Sequence, residues 1–262
     1  KINDGDSTLV VDEMFKEVFR LSKEIHQTTD GYFDPTVGTL VNAWGFGPGE
    51  QLELDSTRVD SLLRYVGFDK VGLVAKGTIE KQHSEIKFDF NAIAKGYAID
   101  RLAIMLDEKG ISDYLVEVGG EVVGKGINRI KEKDWVIGID DPEGEVRGTP
   151  KKLINLNNRA MASSGNYVKF RLDQKTGEKY VHTVDPKTGY TRNSSTLAAT
   201  VLAENCAKAD GYATAFMAMD LKDVKNLLRT LNKLDAYIVY SDENGTIQEY
   251  TTEGFKKVIV SE

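Results

Sequence analysis

The chain has 262 residues, of which 29% are charged and 40% hydrophobic, a composition typical of a soluble globular protein. Its formal net charge of -7 and its lack of a Lys/Arg-rich run argue against nucleic acid as a partner. The single cysteine, Cys206, excludes an internal disulfide, and no apolar run is long enough to cross a membrane.

The first third of the chain predicts helices, loops and short strands. Helical spacing of apolar residues predicts a helix over 11–28, with Asp12 as its N-cap. Its buried stripe comprises Phe15, Val18, Phe19, Ser22 and Ile25. The next predicted segments are a loop at 29–36, a helix at 37–43, a loop at 44–49 and a helix at 55–65 capped by Asp55. Strands are predicted at 70–75, 78–81 and 85–88.

The middle of the chain predicts one helix followed by strands. The helix runs from about residue 94 to residue 108, and the β-prone segment 114–118 ends at Gly119-Gly120. Residues 140–144 have the composition of a turn. Further strands are predicted at 135–139, 153–156 and 161–163.

The last third predicts two hairpins and two helices. Strand-like segments flank turn residues at 173–177 and at 242–245, which predicts a hairpin at each place. The hairpin strands are 167–172 with 178–184, and 236–241 with 246–250. A strand is predicted at 197–203, and helices at 207–219 and 220–231. Because hairpins and helices are mixed without regular alternation, the pattern predicts an α+β fold.

The segment 89–100, DFNAIAKGYAID, is the most informative part of the chain, because a strand gives way to a helix there. Asp89, Lys95 and Asp100 are its charged residues. The N–H groups of a helix start attract anions, and a lysine adds a positive charge. The segment therefore predicts a turn that can bind a phosphate-bearing ligand and its metal ion.

Asp210 and Thr214 lie four residues apart on a predicted helix and therefore share one face of it. Small residues surround them on that face, and a carboxylate with a hydroxyl suits a hard cation such as Mg²⁺. The alternative is that the Thr214 hydroxyl bonds to its own helix backbone while Asp210 faces solvent.

His182 is the histidine best placed for chemistry, since it lies in a predicted strand that ends just before an Asp-Pro turn. An imidazole can accept a proton near neutral pH. The alternative is a purely structural histidine in the strand.

Three further features have competing interpretations. Gly119-Gly120 could admit a flat ligand or form a β-bulge. Ser163 and Ser164 lack the Gly-x-Ser-x-Gly spacing, which disfavours serine hydrolysis. Cys206 has no histidine near it in sequence and is interpreted as a buried core thiol.

Taken together, seven motifs make the chain resemble the ApbE family, the FAD:protein FMN transferases. The motifs are DGYFDPTVG (30–38), WGFGP (44–48), DFNAIAKGYAID (89–100), VGG (118–120), SSGNY (163–167), HTVDPKTG (182–189) and ADGYAT (209–214). The resemblance implies a T-fold-like α+β architecture over residues 1–262 as a single domain. The chain begins without a signal peptide, so we expect the family's N-terminal segment to be absent.

The resemblance implies Mg²⁺-dependent transfer of the FMN moiety of FAD to a Thr or Ser hydroxyl of a target protein, with release of AMP. Such targets are flavin-accepting subunits of membrane redox complexes. Family members are typically lipoproteins on the periplasmic side of the bacterial inner membrane, which would make the full-length protein an anchored one.

The site residues implied by the resemblance fall into three groups. His182 matches the family's proposed catalytic base. One or two Mg²⁺ ions would be held by the Ala92 carbonyl, the Asp210 carboxylate and the Thr214 hydroxyl. FAD would be lined by Tyr32, Phe33, Asp34, Asp89, Lys95 and Val184. Ala213 stands where some relatives have a second acid, which leaves a coordination position for water.

Two alternative functions remain open at this point. The same site could hydrolyse FAD to FMN and AMP with water as the acceptor. A non-catalytic FAD-binding protein is the other alternative, against which the presence of both His182 and Asp210 argues.

Overall fold

Two units, each with its own buried apolar residues, are present in the computed structural model, which describes residues 1–141, 150–166, 170–172, 179–192 and 194–260. Unit 1 comprises Lys1–Ala92 and Lys169–Asn193, and unit 2 comprises Ile93–Val168 and Ser194–Glu262. That the whole chain is one functional domain stays a prediction.

The described residues combine helices with short antiparallel strands. The helices are α1 (Glu13–Thr28), α2 (Gly38–Ala43), α3 (Ser56–Leu63), α4 (Asn91–Glu108), α5 (Cys206–Ala218), α6 (Leu221–Leu228) and α7 (Glu253–Lys256). The strands are β1 (Val71–Leu73), β2 (Ile79–Lys81), β3 (Tyr114–Val118), β4 (Glu121–Lys125), β5 (Trp135–Asp140), β6 (Pro150–Leu156), β7 (Arg159–Gly165), β8 (Phe170–Leu172), β9 (Lys179–Val181), β10 (Thr196–Ala203), β11 (Asp235–Ser241) and β12 (Ile247–Thr251). The predicted α+β class is confirmed. None of the helices in these described ranges is long and apolar enough to span a membrane.

Unit 1 is built around α1, which follows its predicted amphipathic pattern. The Asp12 carboxylate accepts a hydrogen bond from the Phe15 N–H at 2.8 Å, so the predicted N-cap is confirmed. The buried positions of the helix are Val18, Phe19, Ser22 and Ile25, whereas Phe15, the fifth predicted position, is half-buried against the same cluster. Its Phe19 ring lies 4.8 Å from the Phe68 ring, within an aromatic core that fixes α1 against β1 and β2.

The predicted strand at 85–88 is wrong. In the structure this segment makes only one isolated bridge, between Val37 and Lys87. The Asn3 side chain binds both backbone groups of Phe88, at 2.8 and 2.9 Å, and Lys81 donates to the Ile86 carbonyl at 2.9 Å. Because side chains satisfy these backbone groups, the segment needs no strand ladder.

The second segment of unit 1 contains the strands of the predicted hairpin, since β8 pairs antiparallel with β9. The predicted turn at 173–177 lies outside the described residues, as do 167–169 and 178. After β9, the loop 182–192 runs past α2, where the Trp44 indole donates to the Gly189 carbonyl at 2.8 Å.

Unit 2 is dominated by a six-stranded antiparallel sheet in the order β12-β11-β10-β7-β4-β3. Helix α5 contacts β7 and β10, and its small residues are buried almost all round, as expected of a helix inside a core. The predicted hairpin around 242–245 is confirmed as β11–β12. Strands β5 and β6 form a separate pair, and the Trp135 indole donates to the Lys125 carbonyl at 3.0 Å. The predicted turn at 140–144 lies outside the described residues from residue 142 onward.

The sequence pattern missed β4, and the reason lies in the turn before it. Val118 pairs with Glu121, so Gly119 and Gly120 form a two-residue hairpin loop rather than a β-bulge. Their φ angles of 62° and 101° are ones that only glycine adopts easily, which is why both positions are glycine.

Helix α4 begins three residues before its predicted start. The Asp89 carboxylate accepts the Asn91 N–H at 2.8 Å and thereby satisfies one of the free donors at the helix start. Ala92 consequently belongs to the first turn of α4 instead of the preceding loop.

Candidate active site

Within unit 2, α4 approaches the start of α5 so closely that only glycine fits at position 96. A Cβ atom on Gly96 would lie 2.4 Å from the Cys206 carbonyl oxygen, well inside van der Waals contact. The Gly96 N–H donates to the Asp210 carboxylate at 3.0 Å. Gly96 of the motif therefore binds a carboxylate far along the chain and holds its helix close.

Asp100 has a role at this helix junction that the sequence did not indicate. Its two carboxylate oxygens accept the N–H groups of Cys206 and Ala207 at 2.7 and 2.8 Å. Burial raises the pKa of Asp100, and these two hydrogen bonds oppose the rise. Asp100 thus fills the anion site at the N-terminus of α5.

Asp210 is buried, with 5% of its surface exposed, so the alternative in which it faces solvent is wrong. The Gly96 N–H is its single hydrogen-bond donor among the described residues. Desolvation raises the pKa of Asp210 to about 6, the charge of Glu121 adds to this, and the Gly96 bond and the charge of Lys95 oppose it. A buried carboxylate with one donor has room for a further positive partner.

Thr214 lies one turn beyond Asp210 on α5, as predicted, and is half-buried. Its hydroxyl lies 3.3 Å from the Ser164 hydroxyl of β7. The sequence analysis gave Ser164 no part in a metal site, yet its hydroxyl adds a third side-chain oxygen beside Thr214. The neighbouring Ser163 bonds instead to Thr200, at 2.8 Å.

Lys95 makes an ion pair with Glu121, a residue that the sequence analysis missed. The Glu121 side chain is 5% exposed, and the Lys95 ammonium also donates to the Gly119 carbonyl at 3.3 Å. Burial raises the pKa of Glu121, and the bond to Lys95 opposes the rise. The available signal was an acid directly after a Gly-Gly turn, which β3–β4 pairing places beside α4.

Unit 1 contains the predicted FAD-lining residues of the loop 29–36. Phe33 and Asp34 are buried, whereas Tyr32 is half-buried. The Asp34 carboxylate accepts both the N–H and the hydroxyl of Thr36, at 2.8 and 2.6 Å, and the Phe68 N–H at 2.9 Å. Burial raises the pKa of Asp34, against these hydrogen bonds. Asp34 therefore holds the loop in place from inside.

His182 and Val184 belong to the loop that follows β9 in unit 1. His182 is half-buried and comes directly after the strand instead of within it. Val184 is buried against Leu40 and Val66. Asp89, in the same unit, donates its N–H to the Pro35 carbonyl at 2.7 Å, which ties the start of α4 to the loop 29–36.

The predicted metal ligands are thus distributed over two units. Asp210 and Thr214 share one face of α5 in unit 2, whereas Ala92 is the last residue of the first segment of unit 1. Among the residues that the structure describes, no three His, Cys, Asp or Glu side chains form a group that could hold a metal. A metal site on α5 would therefore draw on oxygens other than carboxylates besides that of Asp210.

Comparisons with known proteins identify a family that matches nearly the whole chain. A family model described as the ApbE family matches residues 1–238. The FAD:protein FMN transferase of Haemophilus influenzae is 34% identical over 249 residues, which cover 93% of this chain and 70% of that protein. The flavin transferase ApbE from Vibrio cholerae superposes with a TM-score of 0.84 at 30% identity, over 98% of this chain and 81% of that one. The ApbE protein of Thermotoga maritima gives a TM-score of 0.84 at 32% identity, over 98% and 82%.

The fold and these relatives define the class of protein, a transferase enzyme with an α+β architecture. The chain belongs to the ApbE family. The resemblance drawn from the seven motifs is confirmed.

Proposed function

We propose that this chain transfers the FMN moiety of FAD to a Thr or Ser hydroxyl of a target protein and releases AMP. Family membership supports the reaction class, and relatives carry the name FAD:protein FMN transferase. The observation that carries the proposal is the buried Asp210 carboxylate, which has one donor and shares a helix face with Thr214. That arrangement suits a ligand with positive charge next to a phosphate.

The oxygen donors in unit 2 fit Mg²⁺, because that ion prefers carboxylate, hydroxyl and carbonyl oxygens and keeps positions for water or phosphate. Asp210 and Thr214 would hold it, and the Ala92 carbonyl is the further ligand assigned by the resemblance. When bound, the ion would neutralise charge on the FAD pyrophosphate. The proposal is that one or two Mg²⁺ ions bind.

The protein's own residues would contribute binding, charge and a proton acceptor. The Lys95 ammonium, held by Glu121, would bind a phosphate oxygen of FAD. An imidazole nitrogen of His182 would accept the proton of the attacking hydroxyl, an effect worth roughly 10²–10⁴-fold in rate. A bond forms between that hydroxyl oxygen and the FMN phosphorus while the bond to the AMP phosphate breaks, so AMP carries away the electron pair.

The FAD-lining set remains Tyr32, Phe33, Asp34, Asp89, Lys95 and Val184. The burial of Phe33, Asp34 and Val184 supports a framework role, in which they shape the loops beside the ligand. Tyr32 is half-buried whereas Phe33 is buried, so Tyr32 is the better placed of the two predicted aromatic residues to contact a ring of FAD.

The deciding experiment is mass spectrometry of an acceptor domain after incubation with FAD, MgCl₂ and this protein. The expected result is a mass gain equal to FMN minus water, with one AMP released per modified hydroxyl. AMP release at the same rate without any acceptor would show FAD hydrolysis instead. No AMP release with or without acceptor would show a flavin-binding protein.

Replacement of His182 tests the proton acceptor. His182→Ala should bind FAD normally and transfer FMN at least about 100-fold more slowly, since general base catalysis is lost. His83→Ala is the matched control, because His83 lies exposed in a turn of the same unit. Unchanged transfer by His182→Ala would remove this residue from the mechanism.

We also propose flavin-accepting subunits of membrane redox complexes as partners, and a periplasmic, lipid-anchored location for the full-length protein. Both proposals rest on family resemblance. Labelling of a purified acceptor subunit and fractionation of cells expressing the full-length protein would test them.

A further inference from the structure

A lysine that plays no part in the proposed reaction fastens the loop that carries Tyr32. The Lys187 ammonium donates to the Asp30 carboxylate at 2.6 Å. The same nitrogen lies 4.2 Å from the centroid of the Tyr32 ring, within the range of a cation–π interaction. One charge in unit 1 therefore contacts two side chains of a single loop, which lie two residues apart.

The backbone of this loop is shaped to permit the contact. Asp30 has a φ of 50° and Gly31 a φ of 81°, so two successive residues lie in the left-handed region. Asp is one of the few non-glycine residues that adopt this region readily. The tight turn is closed by the Gly31 N–H, which donates to the His26 carbonyl at 2.8 Å. The turn brings both Asp30 and Tyr32 within contact of the same lysine nitrogen.

Lys187 is itself fixed at its backbone. Its N–H donates to the Asp185 carboxylate at 2.8 Å, and Asp185 is buried. Lys187 follows His182 by five residues, in the same loop. A movement of either loop therefore changes the distance between the ammonium and the Tyr32 ring.

We propose that Lys187 is a positioning residue for FAD. Its ammonium covers one face of the Tyr32 ring and so leaves the opposite face for a ring of the dinucleotide. The inference rests on the proposed function, in which Tyr32 lines the FAD site. The ion pair alone would stabilise the protein little, because the Asp30 side chain is 93% exposed. The consequence of losing Lys187 should thus appear in FAD affinity and not in stability.

The test compares Lys187→Met with Lys187→Arg. The Kd for FAD is measured by flavin fluorescence, and KM and kcat are measured by acceptor modification. Lys187→Met should raise the Kd and the KM for FAD about fivefold and leave kcat within twofold, because the ring loses its orientation before chemistry begins. Lys187→Arg keeps a cation above the ring and should restore both values. Lys16→Met is the matched control, since Lys16 makes an ion pair of equal length, 2.6 Å, with Glu13 on α1.

A double-mutant cycle separates positioning of Tyr32 from a general effect of charge. In a Tyr32→Leu background, Lys187→Met should change the Kd for FAD by less than a further twofold. An unchanged Kd and KM in Lys187→Met, an equal rise in Lys16→Met, or a full fivefold rise in the Tyr32→Leu background would each overturn the inference. If the unaltered protein neither binds FAD nor modifies an acceptor, the proposed function fails as well. If it does both, only the role of Lys187 is in question.

Discussion

Two buried carboxylates, one in each unit, differ in how completely the protein satisfies them. Asp34 in unit 1 accepts three hydrogen bonds, from the N–H and hydroxyl of Thr36 and from the N–H of Phe68. Asp210 in unit 2 accepts one from the described residues, the N–H of Gly96. An ionised carboxylate can accept about four. The difference supports the proposal that Asp34 belongs to the framework of its loop and that Asp210 binds a ligand.

Replacing Asp210 should give the largest effect. Asp210→Asn should lower transfer by about 10³-fold, roughly 4 kcal/mol in transition-state free energy, because the charge that would hold the metal is gone. Its free energy of unfolding should not fall, since the amide oxygen still accepts the Gly96 N–H while a desolvated charge is removed. Acceptor modification followed by mass spectrometry, together with urea unfolding, measures both. A variant that transfers normally with the same Mg²⁺ dependence would place Asp210 with Asp34 in the framework.

Gly96→Ala should destabilise the protein by about 3 kcal/mol, because the new Cβ would overlap the Cys206 carbonyl and force α4 away from α5. Urea unfolding is the measurement. Gly72→Ala provides the control, since a Cβ there meets nothing within 4 Å. Equal stability of the two variants would mean that the contact which orients Asp210 is looser than described.

Asp34→Asn should lower the free energy of unfolding more than the rate of transfer, the opposite of Asp210→Asn. Its amide N–H₂ would face the Phe68 N–H, two donors without an acceptor, at a cost of about 2 kcal/mol in unfolding free energy. Transfer, measured well below the melting temperature, should fall less than tenfold. If stability stays unchanged and transfer is lost, the contrast between the two carboxylates is incorrect.

The effect of Mg²⁺ on the free energy of unfolding should distinguish Asp210 from Asp34. At ten times its Kd, MgCl₂ should raise the free energy of unfolding of the unaltered protein by about 1.4 kcal/mol. Asp34→Asn should retain this gain and Asp210→Asn should lose it. Thermal melts with and without the ion provide the measurement, and an equal gain in all three proteins would argue against a metal on Asp210.

Local patterns predicted the elements whose causes are local. The Asp12 cap, the stripe of α1 and the turn between β11 and β12 each depend on residues within a few positions of one another. The strand expected at 85–88 failed because Asn3, 85 residues away from Phe88, binds its backbone. Strand β4 was missed because Gly119-Gly120 was interpreted as a ligand contact or a β-bulge, whereas in the structure it is the loop of the β3–β4 hairpin.

The candidate site also combines features that depend on neighbouring residues with features that depend on distant ones. The shared face of Asp210 and Thr214 followed from a spacing of four on a helix. The contacts that surround it, Gly96 with Asp210 and Ser164 with Thr214, join residues 114 and 50 positions apart. Glu121 could not be recognised until β3 and β4 were paired. The roles assigned to the site residues remain predictions that the variants above are designed to test.

The two tryptophans of the chain offer an optical consequence of the fold. Trp44 lies in unit 1 and bonds to the Gly189 carbonyl, while Trp135 lies in unit 2 and bonds to the Lys125 carbonyl. Replacing either one by phenylalanine would leave a single indole whose emission spectrum reports on one unit. Superimposable melting curves from the two single-tryptophan proteins would indicate cooperative unfolding, and separate curves would reveal which half loosens first.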